Sequence, residues 1–435
     1  MSMDRFFGLK EQGTTVRKEF VAGLTTFLAM AYILFVNTDM LSATGMDPGA
    51  VFVATALAAA LGSLIMGLLA NYPVALAPGM GINAFFAFTV VLGMGIPWQT
   101  ALAGTFVSGV IFFILTLFKI RETIINGIPE QMKLAVGAGI GLFIAFIGFQ
   151  NAGIVVAEEA TIVGLGDILS PPVLLTVFGL VVSAILMIRG IKGGIFFGMI
   201  LTSIAGIIFG LIDAPSQIVS SVPSLEPTFG VLFKDFFEHV FRKEMILVIF
   251  TMLFIDFFDT AGTLVAVTRQ AGLMKDGKLP RAGRALSADA VATMGGAVLG
   301  TSTTTSYIES SAGVAVGGRT GLTAVFTALF FIVALFFSPL LGVVTSNVTA
   351  PALIIVGVLM ASSLKAIEWD KLEYAIPAFL TIVIMPFAYS ISTGIAAGFL
   401  LYPIFMIFKG RHKEVHPIMY VLFFVFVAYF IWLVE

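Results

Sequence analysis

The chain has 435 residues, of which 59% are hydrophobic and 11% charged, with a mean hydropathy of +1.07. Such a composition cannot fold as a water-soluble globule under a polar coat, and it identifies an integral membrane protein. The net charge of −2 says little, since a multi-span protein is judged by where its charges lie; nucleic acid is not an expected partner, and a chain without cysteine has no disulfides, thiolate metal sites or cysteine nucleophiles.

The amino terminus, MSMDRFFGLKEQGTTVRKEF, is polar and basic. The apolar run that follows, Val21 to Val36, lacks a signal-peptide cleavage site and reads as a first retained span. Residues 48–118 carry no charge. At about 20 residues per crossing, that stretch holds three spans. Hydropathy places spans near 19–42, 49–70, 74–92, 97–118, 131–150, 171–188 and 192–212. A second set follows near 243–268, 284–297, 300–316, 321–340, 350–364, 373–389 and 391–408. A further apolar segment, Ile418 to Val434, comes after the basic patch Lys409, Arg411 and Lys413.

The charges test this division independently. With the amino terminus inside, all of the 23 basic residues except Lys234, Arg242 and Lys243 fall in cytoplasmic segments, Lys119, Arg121, Lys275 and Lys278 included. The three exceptions lie in or beside the long connection between the halves, where "FGVLFKDFFEHVF" reads as an amphipathic surface helix. An internal repeat joins "IKGGIFFGMIL" (Ile191 to Leu201) to "ISTGIAAGFLL" (Ile391 to Leu401). Seven spans per unit is an odd number, so the second unit must lie upside down relative to the first. The expected fold is therefore an all-α polytopic membrane protein with fourteen transmembrane segments in two inverted seven-span repeats, the architecture of secondary transporters.

Two spans are interrupted at corresponding places. The third, "PVALAPGMGINAFFAF", is broken by Pro73, Pro78, Gly79 and Gly81; the tenth, "VLGTSTTTSYIESSAGV", by Gly300 and a block of hydroxyl residues. Each predicts a short extended stretch leading into a half-helix, starting near Ile82 and near Tyr307. Bare backbone at this depth is tolerated only where protein buries it or it lines a cavity. Asn83 and Glu309 would then lie in the first turns of the half-helices, at the membrane centre. The eighth span carries "FIDFFDTAGT", in which Asp256 and Asp259 are three residues apart, with Thr260 and Thr263 continuing the face. A carboxylate at the bilayer centre costs at least ~2.5 kcal/mol, so such residues mark function. Asp256, Asp259, Glu309 and Asn83 are accordingly the candidate substrate-binding residues. The three carboxylates cannot all stay ionised cheaply side by side, so at least one is expected to hold a proton, and all three are candidates for proton coupling. An intramembrane Asp also serves as a helix–helix hydrogen-bond partner, the alternative for Asp256 and Asp259, and Asn83 equally suits a cap on its half-helix. Asp289 reads as structural, Asp39 and Glu130 as interfacial. Most of the 43 phenylalanines face lipid or core, with Phe85 a candidate to stack on a flat ring.

Five ordered motifs, "MDRFFGL", "GLTTFLAMAYILFVN", "APGMGINAFFA", "LFIDFFDTAGTL" and "TSTTTSYIESSAGV", resemble those of the guanine/hypoxanthine/adenine permeases. These are a branch of the nucleobase–cation symporters related to uracil and xanthine permeases. The resemblance runs from about residue 3 to about 410. It implies a uracil-permease-like fold, with core-domain segments at 1–118 and 243–340 and gate-domain segments at 119–242 and 341–410. Residues 411–435 lie beyond it as a basic patch and an extra hydrophobic segment. It also implies import of guanine, hypoxanthine and adenine across the cytoplasmic membrane by proton symport, with binding positions on Asn83, Asp256, Asp259 and Glu309. No cofactor or metal is expected, the proton being the coupling ion; the partners are a purine nucleobase, membrane lipid and a second copy through the gate domain. The chemistry agrees, because adjacent N–H donors of guanine or hypoxanthine suit a carboxylate while the purine oxygen and N7 suit Asn83 and half-helix N–H groups. An acidic site disfavours an anion carrier of the same architecture. An aspartyl-protease reading rests on "GLGD" (Gly164 to Asp167) and "PAL" (Pro351 to Leu353), but no Tyr-Asp pair accompanies them. A channel is the remaining alternative.

Overall fold

The structure, a computed structural model, describes residues 3–118, 127–274 and 279–432. Lys119, Arg121, Lys275 and Lys278, assigned above to the cytoplasmic side, and Val434, at the end of the last apolar segment, lie outside the described residues. Among the described residues, nine helices are long and apolar enough to cross a membrane.

After α1 (Met3–Phe7), the first span is divided into α2 (Val16–Met30) and α3 (Ile33–Ser42). At the division Ala31 and Tyr32 have ψ of −23° and −26°, and the N–H groups of Leu34 and Phe35 donate three residues back to Ala31 and Tyr32. One turn is thereby tightened to 3-10 geometry. Helix α4 (Pro48–Ile65) starts where Asp47 accepts from the Ala50 N–H at 2.8 Å, with Pro48 at its first position. The third span is β1 (Leu76–Pro78) followed by α5 (Met80–Ala84), which widens into π-helical turns as far as Gly93. Then come α6 (Trp98–Leu117), α7 (Glu130–Asn151), a hairpin of β2 (Val155–Glu158) and β3 (Ile162–Leu165), α8 (Pro171–Ile188) and α9 (Gly194–Ile208).

Within the connection, the expected surface helix is short, α10 (Phe236–Val240), and packs on α6. The second half repeats the order: α11 (Lys243–Gln270), α12 (Ala282–Leu299), β4 (Thr304–Ser306) with α13 (Ser310–Ala315), α14 (Gly321–Ala334), α15 (Ser346–Ala361), α16 (Leu372–Phe387) and α17 (Ile391–Phe408). The half-helices begin at Met80 and Ser310 instead of near Ile82 and Tyr307. The second starts late because Tyr307, Ile308 and Glu309 are taken up by a turn whose carbonyls accept from Ser310, Ser311 and Ala312.

Packing follows the repeat. Helix α4 lies on α14 as α12 lies on α6, α8 packs on α15 as α16 packs on α7, and α7 pairs with α15. Strands β1 and β4 pair antiparallel, Ala77 opposite Thr305, as two copies of one element meeting at a twofold axis would. Their depth is tolerated because neighbours satisfy the exposed backbone. Ser63 Oγ accepts from the Leu76 N–H at 2.9 Å, Ser310 Oγ accepts from the Ala75 N–H at 3.0 Å, and Thr293 Oγ1 donates to the Thr304 carbonyl at 3.1 Å.

The last apolar segment is α18 (Pro417–Trp432), a helix beyond the fourteen. Its Phe426 is buried between Phe399 of α17 and Phe250 of α11, ring centroids 5.9 and 5.7 Å away. Arg411 fixes the turn before it, donating to Glu414 at 2.6 and 2.8 Å and to Glu373 at 2.8 Å.

Candidate functional site

The two interrupted spans bring the halves together where α11 passes them. Gly79, between β1 and α5, is obligatory for the approach, since a Cβ there would come within 2.7 Å of Thr305 Oγ1 and 3.4 Å of Asp259 Oδ2. Thr305 Oγ1, on β4, donates to Asp259 Oδ2 at 3.2 Å. From the turn after β4, Glu309 accepts at 2.6 Å from the hydroxyl of Tyr32, the residue at the break between α2 and α3. Glu309 is the cap position of α13, one residue before its first turn, and its side chain is directed across to Tyr32 and not back to the helix.

Asp259 and Glu309, from different elements of the second half, line one cavity of about 690 Å³. Its walls include Ala29 of α2, Thr263 of α11 and Ala312 of α13 on one side. The loop Gly190–Gly194 and the end of α15, with Val356 and Met360, form the other. A volume in the hundreds of Å³, apolar walls and two convergent carboxylates are what a site for a small organic molecule requires.

Asp256 and Asn83 do not line this cavity. Asp256 is buried on another face of α11, where the Thr260 hydroxyl lies 3.3 Å from it and 2.9 Å from Asp289 of α12. Asn83 is fully buried in α5; it accepts from Ser302 Oγ through Oδ1 and donates to the Pro78 carbonyl at 3.4 Å. It thus ties the third span to the stretch ahead of β4. Phe85 is also fully buried and is not among the cavity walls.

Asp289 sits in that buried group. Asp39 accepts from Ser346 Oγ at 2.9 Å and Thr349 Oγ1 at 2.7 Å, so it joins α3 to α15. Glu130 begins α7 beside Lys133. Asp167, the residue an aspartyl-protease reading needs, is an exposed turn residue whose carboxylate accepts from the Leu169 N–H. Tyr32 and Thr305, donors to the two cavity acids, were not legible as site residues beforehand. The available signal was a lone tyrosine in an apolar span and a block of threonines at membrane depth.

A family model described as the permease family, that of the xanthine/uracil permeases, matches residues 17–397. The guanine/hypoxanthine permease PbuG of Bacillus subtilis is 60% identical, over 99% of this chain and 100% of its own. The adenine permease AdeQ of Escherichia coli is 46% identical, over 95% of this chain and 93% of its own. Among solved structures, the transmembrane domain of the cyanobacterial bicarbonate transporter BicA shares the fold, with a TM-score of 0.66 over 88% of this chain and 97% of that one at 14% identity. Matched by the family model over residues 17–397 and by these relatives along nearly its whole length, the chain belongs to the xanthine/uracil permease family, in the branch that holds the guanine/hypoxanthine and adenine permeases.

Proposed function

We propose that this multi-pass membrane protein is a secondary active transporter that imports purine nucleobases, guanine, hypoxanthine and adenine among them, by proton symport and alternating access. The observation that carries the reading is the pair Asp259 and Glu309 facing one cavity of about 690 Å³ between α11, the interrupted tenth span and α15. Ionised carboxylates accept adjacent ring N–H donors, and a flat heterocycle fits between apolar walls. The names of the relatives, guanine/hypoxanthine and adenine permeases, point the same way. The same two acids disfavour the anion transport named for the more distant BicA.

In this reading α2–α6 and α11–α14 form a core domain and α7–α9 and α15–α17 a gate domain, through which two copies associate. The amino terminus is cytoplasmic, and the cavity opens inward past the α8–α9 loop. Asp259, Glu309 and the buried Asp256 are the groups that exchange the coupling proton. Radiolabelled hypoxanthine uptake, in cells lacking their own purine carriers, tests this. Saturable uptake that rises with an inward proton gradient and collapses with a protonophore is the expected result. Saturable uptake indifferent to the protonophore removes proton symport, and no uptake above background removes the purine reading. A non-saturating current supports a channel.

Alternating access also requires the opposite end to be closed when the cavity opens inward. Asp39 lies ten residues beyond Ala29, about 15 Å along the span, and binds Ser346 and Thr349 at the start of α15, whereas the cavity uses the end of α15. Asp39→Ala is therefore expected to weaken the outer closure. Because the chain has no cysteine, a single cysteine at Ala312 can report access by labelling with a membrane-impermeant maleimide. Loss of two hydrogen bonds to a carboxylate predicts at least about tenfold faster labelling from outside. An unchanged rate would show that Asp39 is no latch.

A further inference from the structure

A second cavity, of about 430 Å³, lies away from the substrate site, under the amino-terminal segment. That segment is strapped across both halves. The Asn71 Nδ2 donates to the Phe7 carbonyl at 3.0 Å while its Oδ1 accepts from the Gly321 N–H at 2.7 Å. The Thr14 hydroxyl donates to the Gly317 carbonyl at 3.3 Å, and Phe7 and Leu9 pack on Leu322.

Four basic side chains, Arg5, Lys10, Arg281 and Arg319, line the cavity against two acidic ones, Asp4 and Glu11. Lys10 is within 3.5 Å of Asp4. Arg281 and Arg319 form no ion pair with a carboxylate among the described residues. Arg319 donates twice through Nη1, to the Val314 and Gly318 carbonyls at 2.7 Å each. These bonds fix the plane of its guanidinium and leave Nε and Nη2 without a partner among the described residues. Arg281 lies over the Tyr72 ring at 5.0 Å and reaches the Asn71 carbonyl only at 3.5 Å. Two guanidiniums held in place by neutral groups, with donors to spare, are preorganised for an oxyanion that accepts from both.

We infer that this cavity is a binding site for a phosphate mono- or diester group, held by Arg281 and Arg319 with Lys10 at its rim. The volume accommodates a phospholipid headgroup or a small soluble phosphate compound. Occupancy would fasten the amino-terminal strap to both halves of the core, independently of what the transporter carries.

The test is thermal unfolding of the purified full-length protein with two probes. One is phosphatidylglycerol against phosphatidylcholine in mixed micelles; the other is inorganic phosphate against chloride at equal ionic strength. The expected result is a rise in the unfolding midpoint with at least one probe. Half-saturation should be about tenfold weaker in Arg281→Gln, the loss expected for a charge-assisted contact. It should also be measurably weaker in Lys10→Gln, whose side chain is 89% exposed and whose replacement leaves packing unchanged. A response to phosphatidylglycerol alone assigns the site to lipid, and a response to phosphate assigns it to a soluble ligand. The inference is overturned if neither probe shifts the midpoint beyond its control, or if both variants respond as the parent does. Uptake of purines does not enter the readout, so this result stands or falls apart from the transport reading.

Discussion

Glu309→Gln is expected to lower hypoxanthine uptake about a hundredfold, the upper range for losing a charge-assisted hydrogen bond in a buried site, while the amount of protein in the membrane stays near that of the parent. Gln keeps the length of the side chain and still accepts from the Tyr32 hydroxyl, now at 2.6 Å from Glu309 Oε1, so the break between α2 and α3 retains its partner. What disappears is the negative charge that accepts ring N–H donors and exchanges a proton. Asp259→Asn should behave alike, because its carboxylate lines the same cavity and keeps its bond from Thr305 when replaced by an amide. Tyr32→Phe, which removes only a donor to Glu309, should cost about tenfold or less. Initial rates over a range of hypoxanthine concentrations, normalised to protein in isolated membranes, decide the matter. Near-normal transport by both acid variants would remove the carboxylates from the substrate site.

The spans were legible because run length and composition decide them: an apolar stretch of helical length leaves its backbone no other partner in lipid. The interruptions of the third and tenth spans were legible too, since Pro78, Gly79 and the threonine block oppose a continuous helix. Their antiparallel pairing was not, for no local preference names the strand across the repeat. Nor was the break at Ala31 and Tyr32, which lies in unbroken apolar sequence and is matched to Glu309 through a contact 277 residues away. The spacing of Asp256 and Asp259 placed them near one another on α11, but three residues leave them about 60° apart around the helix axis. That difference is enough for one to face the cavity and the other to face Asp289. Periodicity gives neighbours on a helix, and only tertiary packing gives the direction in which they look. Asp39 shows the same limit: it has the position of an interfacial residue, while its contacts to α15 depend on how the two halves dock.

Glu19→Ala is expected to destabilise the protein by about 3 kcal/mol, through buried N–H groups left without an acceptor. Glu19 lies in the first turn of α2 and is fully buried. Its carboxylate accepts from the backbone N–H groups of Arg319, Thr320 and Thr323 at 3.0, 3.4 and 3.0 Å, and from the Thr323 hydroxyl at 2.5 Å. Arg319 and Thr320 lie just ahead of α14, and the Thr323 N–H in its first turn has besides this carboxylate the Thr320 carbonyl at 3.2 Å, so a side chain from the first half caps a helix of the second. A negative charge at that end also meets the favourable pole of the α14 dipole. Alanine removes acceptor and charge together and opens space in a packed site; Gln keeps one acceptor oxygen and should recover part of the loss. The check is the thermal unfolding midpoint of the detergent-purified variants alongside their yield from membranes. A parental midpoint for Glu19→Ala would mean that water or a shifted neighbour satisfies those amides. The two halves would then owe their docking to the glycine contacts, such as that of Gly67 with Gly321, and not to this carboxylate.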